Sequence, residues 1–166
     1  MPDSSLILAD PPLWMGELPD QWSDVDLPVV VNLCGVMPGG SPAPGQRVHV
    51  FPLLDVLDRD VLPTRIAVEK LVDVVHESID ARGSYWHCHA GLNRSGFAVA
   101  AYLVRHKGYR ISTAIKHMRA SRSPMVLCNS LFESTLRNWY GGKDEQTFEP
   151  VSFEQWLRER IGRREA

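Results

Sequence analysis

The chain predicts an α/β fold, a three-layer-type sandwich with a central, mainly parallel sheet flanked by helices. Three observations lead to it. Short strand-like runs alternate with longer stretches of helical periodicity, the pattern of parallel strands joined by helical crossovers. Val29-Val30-Val31-Asn32-Leu33-Cys34 is an almost continuous apolar run of strand length, as expected of a strand covered on both faces. Phe97-Ala98-Val99-Ala100-Ala101-Tyr102-Leu103-Val104 is apolar nearly all round, so the helix it forms must be central and buried.

In chain order, residues 1–12 are polar and Pro-rich and are expected to wander ahead of a main domain spanning 13–140. Leu13-Trp14-Met15-Gly16 reads as a short edge strand, turned at Pro19 and Asp20. The Val29 run is the next strand. Residues 37–45 hold three prolines and three glycines and form a loop. Arg47-Val48-His49-Val50-Phe51-Pro52 is a further strand, followed by a loop carrying Asp55, Asp58 and Asp60.

Pro63-Thr64 opens a helix to about Ala81, its apolar face built from Ile66, Val68, Leu71, Val72, Val75 and Ile79, with Gly83 as its stop. Ser84-Tyr85-Trp86-His87 is a strand that delivers Cys88. The central helix runs from Arg94 to about His106, where Arg105 and Lys107 suit its C-terminal dipole and Gly108 ends it. Two more helices are expected over 111–120 and 129–139. Gly141-Gly142 then opens a C-terminal tail over 141–166. Ser152-Phe153-Glu154-Gln155 resembles a capping box that starts a last helix there.

Composition narrows the function classes. The 166 residues suit one domain with a substantial core; 44% hydrophobic and 23% charged content are ordinary for a soluble globular chain. A formal net charge of −2 argues against bulk electrostatic binding to nucleic acid or membranes. Three widely spaced cysteines fit a reducing cytoplasm better than a disulfide framework. The opening Met-Pro-Asp-Ser-Ser lacks the basic start of a signal peptide, and no apolar run approaches a membrane span. The expectation is a soluble, cytoplasmic protein, by default a monomer.

The chemistry concentrates in Trp86-His87-Cys88-His89-Ala90-Gly91-Leu92-Asn93-Arg94-Ser95-Gly96, a strand end, a tight loop and a helix start. Helix N-termini point unpaired N–H groups outward with about half a positive charge, and a loop curled over one can aim successive amides at a single centre. Residues 89–94 are therefore candidates for phosphate binding: His89, Ala90, Gly91, Leu92 and Asn93 through the loop, Arg94 through its fork. Gly91 supplies a position where positive φ costs little. The planar fork of Arg94 matches two phosphate oxygens at once. The same field favours a thiolate at Cys88, and the Ser95 hydroxyl can donate to that sulfur and ease its departure.

His-Cys-x5-Arg-Ser resembles the signature of cysteine-based protein tyrosine phosphatases, and His87 to Gly96 carries it intact. The resemblance implies a phosphomonoester hydrolase working through a phosphocysteine, of the dual-specificity type, with a phosphoprotein as the expected partner and no cofactor. Phe51-Pro52-Leu53-Leu54-Asp55 is similar to the dual-specificity branch's Pro-x-x-Asp element. It makes Asp55, 33 residues before Cys88, the expected general acid, with Asp58 in reserve. Arg122-Ser123-Pro124, Asn129 and Phe132-Glu133 are similar to an element that supports the loop from behind. Asn129 also suits a helix N-cap.

His87 is expected to hydrogen-bond near the base of the loop and help hold the thiolate. His89, the first variable position of the loop, is a candidate for specificity with a side chain that could face a substrate, and Asn93 is expected to shape the loop. Cys34 reads as a buried inert thiol; the alternative, implied by a resemblance of this stretch to phosphoinositide phosphatases, is a partner for an oxidised Cys88, and Cys128 reads as structural. No His and Cys cluster has zinc spacing, so no metal is expected.

Alternatives lie within and outside this class. Gly91-Leu92-Asn93-Arg94 also resembles the loop of RNA 5′-triphosphatase domains, which typically lack the acid Asp; Asp55 and the absence of a basic stripe lean away from RNA. Phosphoinositide phosphatases often place basic residues inside the loop, where this chain offers only His89. The alternative of another class is a phosphate-binding pseudophosphatase or scaffold.

Overall fold

The computed structural model describes residues 1–142 and Arg158. Its strands are β1 (Ser4–Ala9), β2 (Pro12–Gly16), β3 (Val29–Asn32), β4 (Arg47–Val50) and β5 (Ser84–His87). The helices are α1 (Arg65–Ser78), α2 (Arg94–Lys107), α3 (Ile111–Ser121) and α4 (Ser130–Tyr140). One sheet is formed in the order β1-β2-β5-β3-β4. Three of its pairings are parallel, and only β1 runs antiparallel, against β2. The expected α/β sandwich with a mainly parallel sheet is what the chain forms.

Strand alternation sorts the side chains between the two faces. Leu13, Met15, Val29, Val31 and Trp86 join a core cluster that also takes buried residues from all four helices. Val30 and Tyr85 turn to the other face and pack with Trp22 and Val25 from the stretch that leads into β3. A register slip of one residue would exchange the two sets. Every residue of α2 from Ser95 to Leu103 is buried, which explains its apolar circumference. Fully burying one of its larger apolar side chains is worth about 1.5–3 kcal/mol. Gly108, in the left-handed region at φ 69°, ends α2 as expected.

The N-terminal reading needs correcting. Residues 1–12 do not wander: Leu6-Ile7-Leu8 lies within β1, Ile7 is buried in the main core, and β1 pairs with β2. Leu13–Gly16 is consequently an interior strand, between β1 and β5. The apolar run in β1 is short and sits between polar residues and a proline pair, so its pattern is weak in sequence. A smaller correction concerns α1, which ends at Ser78 and is capped by Ile79. Gly83 instead closes the turn into β5 at φ 92°, where a Cβ would lie 2.1 Å from the Pro12 carbonyl oxygen. The helix expected from Ser152 lies outside the described residues except for Arg158, which is helical. Among the described residues no helix is long and apolar enough to cross a membrane.

The parallel register brings the carboxyl ends of four strands level. Gly16 and Asn32 both pair with His87, and Asn32 also pairs with Val50. Four loops therefore leave the sheet at one edge, the place where open α/β sheets form ligand sites. The central strand of the five is β5, so the segment after His87 emerges between the others.

Candidate active site

Cys88 follows β5 directly and is buried, and its Sγ lies 3.4 Å from the buried Ser95 hydroxyl in the first turn of α2. Arg94 opens that helix. Its Nε is buried without an acceptor among the described residues. The loop between is held by its carbonyls. The His89 carbonyl accepts from the Leu18 amide at 3.1 Å, Leu92 from the Leu127 amide at 3.2 Å, and Asn93 from the Phe97 amide at 2.8 Å. The Ala90 and Gly91 carbonyls accept from the Arg122 guanidinium at 3.4 and 3.3 Å.

Five successive carbonyls are thus turned toward protein donors. Among the described residues, no amide of residues 89–94 donates to a protein acceptor. A run of amides with no protein acceptor, next to a helix N-terminus and an Arg, is an arrangement that can hold an anion. Gly91 is required for this course. Its φ is 64°, and an added Cβ would fall 2.3 Å from the Gly16 carbonyl carbon of β2. Behind the loop, Leu127 carries φ 58°, unusual for a residue other than glycine, while its amide holds the Leu92 carbonyl.

Asp55 is brought to the loop by backbone bonds that zip its segment onto β3: the Phe51 amide to the Asn32 carbonyl and the Leu53 amide to the Leu33 carbonyl, each 2.9 Å. Its carboxylate accepts from Asn93 Nδ2 at 3.3 and 3.1 Å and from Asn129 Nδ2 at 2.9 Å. The same Asn129 caps α4, its Oδ1 accepting from the Leu131 and Phe132 amides. Asn93 Oδ1 in turn accepts from the Asn129 amide at 2.9 Å and the Cys128 thiol at 3.2 Å. Two asparagines from different elements therefore aim one carboxylate. Asp58 is occupied elsewhere: it caps the 3-10 turn Arg59–Val61, accepting from the Asp60 amide at 3.0 Å.

The Arg122 side chain is almost wholly buried and also pairs with the exposed Asp3 carboxylate, both contacts at 3.0 Å. The Arg-x-Pro segment thus lies behind the loop. Below it, Glu133 is buried between Arg119 and Arg137. Burial alone would raise its pKa, but the two guanidiniums reverse this and hold it below the usual carboxylate range.

His87 departs from expectation. Neither ring nitrogen has a hydrogen-bond partner among the described residues, and the ring instead stacks on Tyr85 with centroids 5.8 Å apart. Burial pushes its pKa down to about 4, an effect that the adjoining Cys88 backbone offsets only in part. Its neighbour His89 is exposed, as is Ala90, while Leu92 is half-buried against the core. Cys34 is half-buried and points its thiol at Asn32 Oδ1, 3.4 Å away. Burial pushes the Cys128 thiol up.

The backbone supports at Leu18 and Leu127 leave no mark in the sequence. Amides carry no side-chain signature, so nothing in the residue types could have pointed to them.

Residues 17–141 match the family described as dual specificity phosphatase, catalytic domain. Phosphatidylglycerophosphate phosphatase PTPMT2 of Arabidopsis thaliana is 32% identical over 72 residues, which cover 42% of this chain and 32% of that protein. Tyrosine-protein phosphatase cdcA of Emericella nidulans is 30% identical over 95 residues, covering 52% of this chain and 16% of that protein. The chain thus spans a third or less of the length of these two relatives. The crystal structure of human DUSP28 superposes with a TM-score of 0.65 at 21% identity, over 84% of this chain and 94% of that one.

Proposed function

The chain belongs to the dual-specificity phosphatase family, a family of phosphoester hydrolases, and from that premise we propose that it hydrolyses phosphomonoesters of proteins through a phosphocysteine at Cys88. The observation that carries the reading is the loop whose five carbonyls are tied outward while the amides of residues 89–94 find no protein acceptor around Cys88 and Arg94.

The chemistry follows from the positions. Cys88 Sγ attacks phosphorus and forms the S–P bond as the P–O bond to the leaving group breaks. Asp55 gives its proton to the departing oxygen. The amides of 89–94 and the Arg94 guanidinium hold the three equatorial oxygens, where charge builds in the transition state. In the second step the Asp55 carboxylate takes a proton from water, the water oxygen bonds to phosphorus, and the S–P bond breaks. The electron pair returns to sulfur, where the Ser95 hydroxyl, 3.4 Å away, stabilises the thiolate. Holding Asp55 by two amide donors fixes its position for both proton transfers.

The test is hydrolysis of p-nitrophenyl phosphate and a phosphotyrosine peptide, with wild type, Cys88→Ser, Asp55→Asn and Asp58→Asn. Cys88→Ser is expected to lose turnover while still binding the phosphopeptide, and a quenched wild-type reaction should carry phosphate on Cys88 by mass spectrometry. Full activity in Cys88→Ser overturns the mechanism. Wild-type inactivity with retained binding favours a scaffold. The name of the Arabidopsis relative makes phosphatidylglycerophosphate the comparison substrate for the protein assignment.

A further inference from the structure

We propose that a cleft beside Asp55 is a specificity subsite that takes one apolar side chain flanking the phosphorylated residue of a peptide substrate. This rests on the hydrolase reading above and adds to it the chemistry of the flanking sequence.

The cleft encloses about 170 Å³. Val56 and Leu57 line it from the segment after Asp55, and Cys128 and Ser130 line it from the start of α4. It shares Asp55, Asn93 and Asn129 with the candidate active site. A cavity of about 150 Å³ in a protein interior admits one benzene molecule, so this space suits one branched or aromatic side chain. Because Asp55 would serve the leaving oxygen, a cleft that shares Asp55 adjoins the side on which the body of the substrate would leave the phosphate.

Its chemistry selects the occupant. Leu57 and Val56 are 53% and 42% exposed, and Leu54 and Val61 in the same loop are 60% and 43% exposed. Apolar residues gathered on one loop at the rim of a site mark a contact surface, whereas scattered ones do not. Among the described residues no Lys or Arg lines the cleft, so nothing there draws a second phosphate or an acidic side chain, and the Asp55 carboxylate repels both. Residues 55–60 carry three aspartates against one arginine, which opposes approach to an anionic bilayer. A peptide with an uncharged apolar neighbour meets all these conditions.

The experiment measures kcat/KM for phosphotyrosine peptides that differ only in carrying Leu, Asp or Lys beside the phosphorylated residue, on either side. For wild type, Leu should exceed Asp by about tenfold on at least one side, the discrimination a small apolar pocket supports. In Leu57→Asp, the ratio within that variant should shift from Leu toward Lys; Val56→Asp serves if Leu57→Asp does not fold. Equal rates on Leu and Asp peptides in wild type overturn the subsite, as does an unchanged preference in the aspartate variant. Phosphatidylglycerophosphate in phosphatidylcholine vesicles, turned over faster than every peptide, overturns the peptide assignment. If wild type hydrolyses nothing, the hydrolase reading fails by itself, and the affinities of the same peptides decide the subsite. Tighter binding of the Leu peptide supports it; equal affinities overturn it.

Discussion

Asn93 Nδ2 donates to both carboxylate oxygens of Asp55, at 3.3 and 3.1 Å, so a residue of the loop between Cys88 and α2 grips a carboxylate 38 positions earlier in the chain. The loop that would receive the phosphate and the loop that would protonate the leaving group are thus one mechanical unit.

Removing that grip should misplace the acid without removing it. Asn93→Ala is expected to lower kcat about tenfold on phenyl phosphate and less on p-nitrophenyl phosphate, whose leaving group needs little proton donation. Asp55→Asn should show the same dependence at about 10²-fold or more, the range of general acid catalysis. Rates on the two esters, compared within each variant, check this. A loss that ignores the leaving group would point to general damage of the loop.

Arg122 should matter far more than its ion-pair partner. Its guanidinium supports the Ala90 and Gly91 carbonyls, whereas Asp3 is exposed and an exposed pair contributes little. Arg122→Met is expected to raise the inhibition constant of inorganic phosphate at least tenfold. Asp3→Asn should change it less than threefold. Competitive inhibition by phosphate measures both.

Gly91→Ala combines two penalties, a left-handed φ and a Cβ against the Gly16 backbone, which cannot move aside cheaply. Together they should cost about 2–4 kcal/mol. At this chain length that lowers Tm by roughly 5–15 °C. Thermal unfolding with and without phosphate should show a second effect: the stabilisation by phosphate seen in wild type disappears.

The buried His87 gives the fold an acid limit. Its folded pKa of about 4 lies below the ordinary imidazole value near 6.5, so the unfolded chain takes up the proton first as pH falls. Stability from this group is fully present above about pH 6.5 and declines as pH drops through that value toward 4. The decline should amount to on the order of 3 kcal/mol, since the side chain is wholly buried. Urea denaturation of wild type and His87→Phe at several pH values tests the sign: the variant should show a shallower decline.

How much of this was legible in the residues depended on whether side chains carried the signal. The Val29 run, the apolar circle of α2 and the Cys88-to-Ser95 spacing are all side-chain patterns, and each pointed to its element or site. Asp55 could be separated from Asp58 only by a resemblance; geometry adds that Asp58 is used as a cap while Asp55 meets two asparagines. β1 was hidden because three apolar residues between polar ones do not distinguish a strand from a tail. His87 is buried on the face it shares with Tyr85, against whose ring it stacks, a placement its residue type does not announce. The amides of Leu18 and Leu127, which hold two loop carbonyls, belong to the path of the chain and have no residue type to announce them.

The outward-tied carbonyls of residues 89–93 have one more consequence. A cradle assembled before its ligand arrives makes no distinction between the dianion still on its ester and the one just set free. On the proposed mechanism, inorganic phosphate would compete with substrate for the same amides, and turnover would slow as product accumulates. In a compartment rich in phosphate, the standing occupancy of this loop by its own product would set the fraction of molecules ready to work.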